Sequence, residues 1–390
     1  MPDGWTATTI GQHADVLTGF AFKSADYTSN EDDVKLLRGD NVAPHRLRWR
    51  DVKRFPKERA NEVSRYQLRA GDFVVAMDRT WLPSGVKIAE VAQADLPCLL
   101  VQRVARLRAK DTLHQGLMKQ FFSGHQFDQH VQAVQTETAV PHISPADLRD
   151  YPIKLPPMHE QRRIAEMLST WDYAIETVAA LITNARTQKQ ALMQSLLTGT
   201  KRLPGFSGAW TTQRLESFCQ ISKGEQLGRL AMIEAGTIPV INGGISASGY
   251  TDRANTPSGC ITISEGGNSC GFVSIIHQPF WCGGHCYALK DLTVDRSFLF
   301  AALKHREAEI MTLRVGSGLP NIQKKALSGF ELLVPPRDEQ EAIGKCADVQ
   351  SDAIQGLENQ LSCLRQEKSA LMQQLLTGKR RVKVAEGAVA

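Results

Sequence analysis

The chain has 390 residues, of which 42% are hydrophobic, and a net charge of +5. Domains usually run about 100–200 residues, so we expect more than one folded unit. The sequence has neither the run of about 20 apolar residues that a membrane helix needs nor the basic and apolar regions of a signal peptide. Its eight cysteines are scattered, which disfavours a secreted disulfide scaffold and favours a cytoplasmic protein with reduced cysteines.

Residues 1–155 predict a first domain of mixed strands and helices. Residues 73–77 are a short β-prone run after a turn signal, and residues 101–107 alternate apolar and basic side chains as a half-exposed strand does. Residues 117–134 have the spacing of a helix. Residues 46–69 hold nine Lys or Arg and three Asp or Glu. This run is either a solvated surface face or a strip that contacts phosphates, and both interpretations stay open.

Residues 156–200 predict a long helix. Pro156 and Pro157 block helix before it, and Gly199 lies where a C-terminal cap is expected. Apolar residues recur between them at alternating spacings of four and three, a heptad pattern typical of a coiled-coil seam. About 38 helical residues span about 57 Å at about 1.5 Å per residue.

Residues 201–334 predict a second mixed domain, with a short strand at 261–264 and helical spacing over 298–313. This domain also holds cysteines and histidines from which a zinc site could be built. They are Cys260, Cys270, His277, Cys282, His285 and Cys286. Because the flanking pairs lack regular spacing, and residues 281–286 also fit a turn between strands, we expect ordinary reduced cysteines and no metal.

Residues 335–378 repeat the first long helix, and residues 379–390 form a C-terminal tail. Residues 156–202 and 335–381 align without a gap at an offset of 179, with 18 identities in 47 positions. Both copies begin with P-P-x-x-E-Q and end with A-L-M-Q-x-L-L-T-G. The match extends upstream to residues 141–143 and 320–322, each reading P-x-I. The start of each half matches at an offset of 205, pairing Trp5, Ile10 and Gly19 with Trp210, Leu215 and Gly224. The chain is therefore two halves, each a variable domain followed by a near-constant helix.

The heptad positions predict that the two long helices pair with each other, antiparallel, about a pseudo-two-fold axis. Lys189 and Lys368 interrupt the apolar pattern at the same position, and a polar seam residue fixes register at some cost in stability. The predicted seam consists of Ile164, Leu168, Trp171, Ile175, Val178, Ile182, Leu192, Leu196, Ile343, Ile354, Leu357, Leu361, Leu364, Leu371 and Leu375. The predicted fold class is mixed α/β, with two variable domains separated by two long antiparallel helices that form a coiled coil.

The sequence carries no G-x-x-x-x-G-K-[ST] phosphate loop, and its Pro-Pro pairs lack the flanking residues of an amino-methyltransferase motif. We therefore assign no catalytic residue. Base readout uses polar side chains on positioned loops, because these match the donors and acceptors of the major groove. For each candidate, a solvated residue or a turn former is the competing interpretation. The candidates are Lys23, Arg38, Asn41, Arg46, Arg48 and Arg79 in the first domain, and Lys223, Asn242, Ser246, Tyr250, Asn268 and Asn321 in the second.

These motifs together resemble the specificity subunits of type I restriction–modification enzymes: W-x4-[IL] opening each half, P-x-I ending each variable domain, P-P-x-x-E-Q and L-L-T-G bounding each helix. The resemblance covers nearly the whole chain. It implies that each variable domain is a target recognition domain for one half of a split site in double-stranded DNA, and that the helices set the gap. It also implies two adenine-N6 methyltransferase subunits as partners, which bind S-adenosylmethionine, and restriction subunits that use ATP and Mg²⁺ where they join. This chain would itself bind no cofactor.

Three alternatives stay open. The chain is a recognition subunit of another restriction architecture, a coiled-coil scaffold whose domains bind proteins, or an enzyme with a zinc site in the second domain. Salt-dependent DNA binding would distinguish the DNA readers from the scaffold, because phosphate contacts make affinity fall with salt. Metal analysis would test the third.

Overall fold

The computed structural model describes residues 2–316 and 318–382, and these divide into two compact units. The first unit comprises residues up to 177 together with those from 361 onward, and the second comprises residues 178–360. Each unit therefore holds one variable domain and part of both long helices. The sequence-based boundaries at 156 and 335 instead separated the helices from the domains.

The first variable domain is rich in short strands. Its strands are β1 (Thr6–Thr9), β2 (Ala14–Thr18), β3 (Val34–Leu37), β4 (Val42–Ala43), β5 (Arg46–Leu47), β6 (Arg54–Phe55), β7 (Phe73–Ala76), β8 (Trp81–Leu82), β9 (Gly85–Val86), β10 (Ile88–Glu90), β11 (Cys98–Leu100), β12 (Val104–Ala109) and β13 (Pro152–Leu155). Its α-helices are α1 (Ile10–His13), α2 (Gln115–Ser123), α3 (His125–Val134) and α4 (Pro145–Arg149), and the long helix α5 (Met158–Leu197) follows. Short 3-10 helices lie at Ser24–Asp26, Gly39–Asn41, Lys57–Tyr66 and Gln93–Asp95.

Two sheets form the centre of this domain. A four-stranded antiparallel sheet has the order β10-β7-β12-β2, and a three-stranded sheet has the order β11-β3-β6, in which β11 and β3 are parallel. The single helix predicted over 117–134 is two helices, divided at Gly124. Both cover one face of the larger sheet, where Phe122 contacts Phe73 and Phe127.

The second domain repeats this topology. Its strands are β14 (Thr211–Arg214), β15 (Gln220–Lys223), β16 (Ile238–Ile241), β17 (Gly249–Thr251), β18 (Cys260–Ser264), β19 (Val273–Ile276), β20 (Trp281–Cys282), β21 (Cys286–Lys290) and β22 (Glu331–Val334). Its helices are α6 (Arg296–His305), α7 (Glu307–Thr312) and α8 (Lys324–Ser328), with 3-10 helices at Leu215–Ser217 and Arg229–Ala231, and the long helix α9 (Arg337–Leu375) follows. The helical segment predicted over 298–313 is likewise divided, at Arg306.

The strand orders of the two domains correspond one to one. The order β19-β18-β21-β15 matches β10-β7-β12-β2, and β20-β16-β17 matches β11-β3-β6, with the parallel pair in the same place. β14 pairs with β22 as β1 pairs with β13. The repeat seen in the helix sequences therefore extends to the fold of the variable domains.

The strand predicted over 101–107 forms as β12, but the prediction that it is half exposed is wrong. Ala105 and Leu107 face the core of the first unit, and Arg106, on the opposite face, is only 5% exposed. The segment that contains Leu68 covers this second face, and Arg106 is paired with Asp15. A basic residue can be buried here because a carboxylate compensates its charge.

The motif P-P-x-x-E-Q anchors the start of α5 in the first unit. Glu160 is 1% exposed, and its carboxylate accepts hydrogen bonds from the Trp5 indole N–H at 3.2 Å and from the Arg381 guanidinium. Gln161 accepts a hydrogen bond from the His114 backbone N–H, at the start of α2. Two neighbouring side chains thus connect the chain start, α2 and the segment after α9 to one helix end.

The second unit uses the same motif in the same way. Glu339 is 0% exposed and accepts hydrogen bonds from the Trp210 indole N–H at 2.9 Å and from Arg202 at 2.6 Å. Gln340 accepts from the Asp295 backbone N–H, at the start of α6. The recurrence of Trp, Glu, Gln and Arg in the sequence therefore has one structural cause.

The ends of the long helices belong to the domain cores. Ile164, Leu168 and Leu375 are buried in the core of the first unit, and Leu196 and Ile343 in that of the second. Every predicted seam residue is buried or half buried. Because core and helix ends share these contacts, the compact units cut through the helices.

Within the second unit α5 and α9 run antiparallel. The Lys189 ammonium donates to the Ser351 hydroxyl at 2.7 Å, and Arg186 pairs with Glu358 at 2.5 Å. The partner number on α9 therefore rises as the residue number on α5 falls. In the described ranges, no helix combines the length and apolar content needed to cross a membrane.

The lysines that interrupt the heptads make equivalent contacts. Lys368 pairs with Asp172 at 2.5 Å in the first unit, and Lys189 contacts Ser351 in the second. The offset of 179 relates Lys189 to Lys368 and Asp172 to Ser351. The two contacts are therefore one contact of the repeat, with a carboxylate in one unit and a hydroxyl in the other.

Glu160→Ala is expected to lower the free energy of unfolding by about 2–3 kcal/mol, because it leaves the Trp5 N–H without its acceptor and Arg381 without its carboxylate. Denaturant unfolding followed by tryptophan fluorescence measures the change. Glu166→Ala is the control, because it removes an exposed carboxylate from the same helix, and should change stability by less than about 0.5 kcal/mol. Equal losses in both variants would contradict the anchoring role.

Lys189→Leu and Lys368→Leu are expected to have opposite effects. Burial lowers the pKa of Lys189, and Ser351 keeps a hydrogen bond to the Ala347 carbonyl without it. Lys189→Leu should therefore raise the free energy of unfolding by about 1 kcal/mol, whereas Lys368→Leu should lower it by about 1 kcal/mol because Asp172 loses its cation.

The pH dependence of unfolding provides a second readout for Lys189. Its ordinary pKa is 10.5. Just below that value the unfolded state binds more protons than the folded state, so wild-type stability should rise with pH there. This rise should be smaller in Lys189→Leu. Stability changes of the same sign in both leucine variants would rule out this account of the seam.

Candidate nucleic-acid interface

Several strands of the first domain end on one side of its sheets. Because β2 and β7 run antiparallel to β12, both end where β12 begins, and the parallel strands β3 and β11 end beside them. Backbone hydrogen bonds connect these ends, for example from the Phe20 N–H to the Leu100 carbonyl. The loop end of the first domain is defined as residues 19–22, 38–41, 77–80, 101–103 and 141–143.

The second domain has an equivalent loop end, defined as residues 223–226, 242–244, 265–269, 283–285 and 320–322. Its backbone hydrogen bonds, each from N–H to carbonyl, correspond one to one with those of the first domain. They are Gly224 to Cys286, Gly283 to Ile241, Glu265 to His285, Gly267 to Pro320 and Ile322 to Glu265, against Gly19 to Val104, Val101 to Leu37, Met77 to Arg103, Arg79 to Pro141 and Ile143 to Met77.

The repeated glycine allows two loops to approach each other closely. A Cβ at Gly19 would overlap the Val101 carbonyl, and a Cβ at Gly224 would overlap the carbonyls of Cys282 and Gly283. Only glycine fits such a backbone contact. This explains why glycine recurs at the offset of 205.

The loop end of the first domain presents cationic side chains. Arg79, Gln102 and Arg103 are exposed, and Arg38 is half buried. Arg103 lies 3.7 Å from Asp78 and Arg38 lies 3.8 Å from Asp40, whereas no carboxylate of the described ranges lies within 4.0 Å of Arg79. Arginine in these positions can donate two parallel hydrogen bonds to a planar acceptor.

Arg79 has an unusual backbone conformation. Its φ is 46°, and the equivalent Gly267 has a φ of 75°. A left-handed φ is strained for a residue with a side chain, and such strain concentrates at functional sites. The second domain meets the same backbone requirement with glycine, so arginine at position 79 has a role beyond forming the turn.

The loop end of the second domain is organised around Glu265. The Lys223 ammonium lies 2.5 Å from one carboxylate oxygen, and the Tyr287 hydroxyl donates to the same oxygen at 3.3 Å. The His285 Nδ1 lies 3.7 Å from the other oxygen. Burial, followed by the charge of Glu265, raises the pKa of Tyr287 to about 12, so its hydroxyl is a donor at neutral pH.

Three predicted asparagines lie at this same loop end. Asn242 accepts a hydrogen bond from the His285 N–H at 3.1 Å, which makes it in part a turn former. Asn268 and Asn321 are exposed, and Asn321 forms a backbone bridge with Gly266. The structure thus brings Lys223 and all three asparagines together.

The remaining candidates lie elsewhere. Arg46 and Arg48 are exposed at the β4–β5 hairpin, which contacts β10. Ser246 and Tyr250 are exposed in and after the loop that precedes β17, and Lys23 is exposed next to the first-domain loop end.

The prediction that Asn41 contacts bases is wrong. Its side chain is 1% exposed, accepts a hydrogen bond from the Arg38 N–H and donates one to the Arg48 carbonyl. Asn41 therefore stabilises a turn. The sequence could not distinguish this role from base contact, because asparagine is favoured in both.

The basic run 46–69 is largely exposed. Its residues are exposed at most of the basic positions, and of its nine basic side chains only Arg59 pairs with a carboxylate of the described chain. Unpaired exposed cations fit both a solvated face and a phosphate-contacting strip.

The cysteines of the second domain do not form a metal site. Cys260, Cys282 and Cys286 pack with Phe280 in a small apolar cluster, and burial raises the pKa of Cys260 to about 11. Metals bind the thiolate, which this environment disfavours. Across the described residues no group of three or more potential ligands could hold a metal ion.

Sequence reasoning missed five loop-end residues, Gln102, Arg103, His142, Glu265 and His285. The offset of 179 that relates Pro320 to Pro141 also relates Asn321 to His142, so the repeat could have identified His142. The others follow only from the strand order, which brings distant loops together.

The family profile described as type I restriction modification DNA specificity domain matches residues 2–185 and again residues 208–362. The specificity subunit of the type I restriction enzyme EcoAI from Escherichia coli is 32% identical over 191 residues, which are 49% of this chain and 31% of that protein. The specificity subunit of the type I restriction enzyme MjaVIII from Methanocaldococcus jannaschii is 28% identical over 204 residues, 52% of this chain and 48% of that protein. The chain thus spans less than half the length of either relative.

Solved structures share the fold. The S subunit of a type I restriction–modification system from M. genitalium gives a TM-score of 0.66 at 18% identity and covers 95% of this chain and 96% of that chain. A chain from a structure on complex assembly and conformational transition of the type I R-M system gives a TM-score of 0.57 at 18% identity, over 96% and 98%.

Gly224→Ala is expected to lower the free energy of unfolding by about 1–3 kcal/mol, because the added methyl group overlaps backbone carbonyls. Denaturant unfolding measures the loss, and hydrogen exchange of the Gly283 amide reports whether the loop contact opens. Gly228→Ala is the matched control, since a Cβ there meets open space. If the two variants were equally stable, the close approach would not limit the loop end.

Proposed function

The chain belongs to the type I restriction modification DNA specificity family, and from that premise we propose that it reads a split site in double-stranded DNA as the specificity subunit of a type I restriction–modification enzyme. Each variable domain serves as a target recognition domain for one half-site. The chain supplies recognition and no catalytic group.

The observation that carries this proposal is the pair of equivalent loop ends. Their backbone hydrogen bonds match one to one, while the side chains differ, as in Arg79 against Gly267 and Met77 against Glu265. Two domains that share a fold and differ in loop chemistry suit a protein that reads two different half-sites. A scaffold with one protein partner would not require this difference.

The loop-end side chains have the chemistry of base readout. Arginine recognises guanine through two acceptors, and asparagine recognises adenine through one donor and one acceptor. We assign Arg79 and Arg103 to the first half-site and Asn268 and Asn321 to the second. The basic run 46–69 provides sequence-independent phosphate contacts beside the first half-site.

The long helices act as the spacer. α5 spans Met158–Leu197, or about 60 Å at about 1.5 Å per residue. We propose that it pairs with α9 along its length as an antiparallel coiled coil, with a pseudo-two-fold relation between the halves, and that this pair sets the gap between half-sites. A rigid spacer raises the effective concentration of the second reader once the first is bound.

The chemistry resides on partner subunits. Two adenine-N6 methyltransferase subunits bind S-adenosylmethionine and flip one adenine in each half-site. Restriction subunits that use ATP and Mg²⁺ join the same complex. The loop ends position these partners on DNA by holding the chain in register with the bases.

Coexpression with its methyltransferase subunit is expected to produce N6-methyladenine in a split motif with a fixed gap. Arg79→Gln should relax or weaken only the first half-site, by about 10- to 100-fold, because one good bidentate contact contributes about 1–3 kcal/mol of discrimination. Asn321→Ala should do the same only at the second half-site. Genome-wide mapping of methylated adenine measures both effects.

Lys110→Gln is the control, because Lys110 lies beyond the opposite end of β12 and should leave the motif unchanged. Changes in both half-sites from either loop-end variant would refute the assignment of one domain to each half-site. No methylation from a stable complex that contains active methyltransferase would refute the proposed function and favour the protein scaffold.

A further inference from the structure

A polar cavity of about 360 Å³ lies against the first domain, on the face of β12 that points away from the core. Four arginines line it, Arg65, Arg69, Arg106 and Arg108, together with Asp15 and polar groups of residues 64–69. Arg106 and Arg108 come from β12, whereas Arg65 and Arg69 come from the segment that covers this face. Four guanidinium groups converge on this space from two parts of the chain.

Arg106 is buried beyond what its ion pair explains. Its side chain is 6% exposed and is paired with Asp15, yet its Nε is buried and has no hydrogen-bond partner within the described chain. Desolvation by burial lowers its pKa. A buried donor without an acceptor is costly, so a further acceptor from outside the chain is expected.

The fold does not require an arginine at this position. In the second domain β21 takes the place of β12, and Ala288 lies opposite Ser222 as Arg106 lies opposite Leu17. Ala288 is 1% exposed, so the same strand is built there with a small apolar residue. Buried ion pairs contribute little net stability compared with apolar residues, which leaves ligand binding as the reason for Arg106.

The charges around the cavity do not balance. Asp15 compensates Arg106, and Asp72 binds Arg108 through two hydrogen bonds at 2.6 and 2.7 Å. No carboxylate of the described residues pairs with Arg65 or Arg69. Two positive charges therefore remain for an anion.

We propose that this cavity is a phosphate-binding site in which Arg106 anchors the anion and Arg65 and Arg69 close over it. A phosphate group presents several acceptor oxygens and matches the fork of arginine donors. A single carboxylate offers two oxygens and would leave most of these donors unused. The phosphate comes either from a free phosphate or from the backbone of bound DNA, and the second source rests on the proposed function.

The first measurement is calorimetric titration of the full chain with inorganic phosphate. Saturable binding is expected, with an affinity weakened on the order of tenfold in Arg69→Gln and Arg65→Gln, because each removes a charge-assisted donor. Arg106→Ala copies the second domain and should abolish binding. If Arg106→Ala unfolds, the two exposed glutamine variants decide the result, and Lys110→Gln is the matched control.

The second measurement is DNA binding by the complex with its methyltransferase subunit, over a range of salt concentrations. If inorganic phosphate does not bind but the three arginine variants weaken DNA binding at every sequence, with a salt slope smaller by about one per lost contact, the site takes a backbone phosphate. Wild-type behaviour of these variants in both measurements would overturn the proposal. A wild-type complex that binds phosphate but not DNA would refute the proposed function and leave this site standing.

Discussion

Glu160 and Glu339 are almost fully buried at the start of the long helices, and a carboxylate removed from water must be paired and hydrogen-bonded. In each unit the partners are a tryptophan from the start of the domain and an arginine from the segment that follows the other long helix. These groups are far apart in sequence, 155 residues between Trp5 and Glu160, so the carboxylate is satisfied only when chain start, helix end and domain have assembled. This requirement explains why P-P-x-x-E-Q, the tryptophan and the arginine recur together.

The same division of labour holds in the variable domains. Backbone hydrogen bonds fix the loop ends, and they correspond one to one in both domains although few side chains there are shared. Backbone amides and carbonyls are present at every position except for the missing N–H of proline, so the loops keep their arrangement while their side chains change. Position 79 illustrates this, because the left-handed turn is formed by arginine in one domain and by glycine in the other.

Much of the architecture follows from sequence, because long-range repetition and heptad spacing are strong signals. The helix bounds predicted at 156–200 and 335–378 lie within a few residues of α5 and α9. The failures share one cause, which is tertiary contact. Arg106 looks half exposed in an alternating strand, and Asn41 looks available for readout, but a covering segment and a neighbouring backbone bury them. The loop-end grouping of Arg103 with Arg79 likewise depends on strand order, which no local pattern encodes.

The seam lysines show why a spacer helix would keep a residue that weakens it. Lys368 is 9% exposed and is satisfied by Asp172 across the helix pair. A slip of one heptad along α5 would place Ala165 or Ala179 opposite it and leave the ammonium buried without an acceptor. An all-apolar seam would tolerate that slip, because one heptad of leucine and isoleucine packs much like the next. If the helices set the distance between two half-sites, a slip of about 10 Å would be about a third of a DNA turn. The lysines therefore exchange some stability for a single register, which is the property that a spacer of fixed length needs.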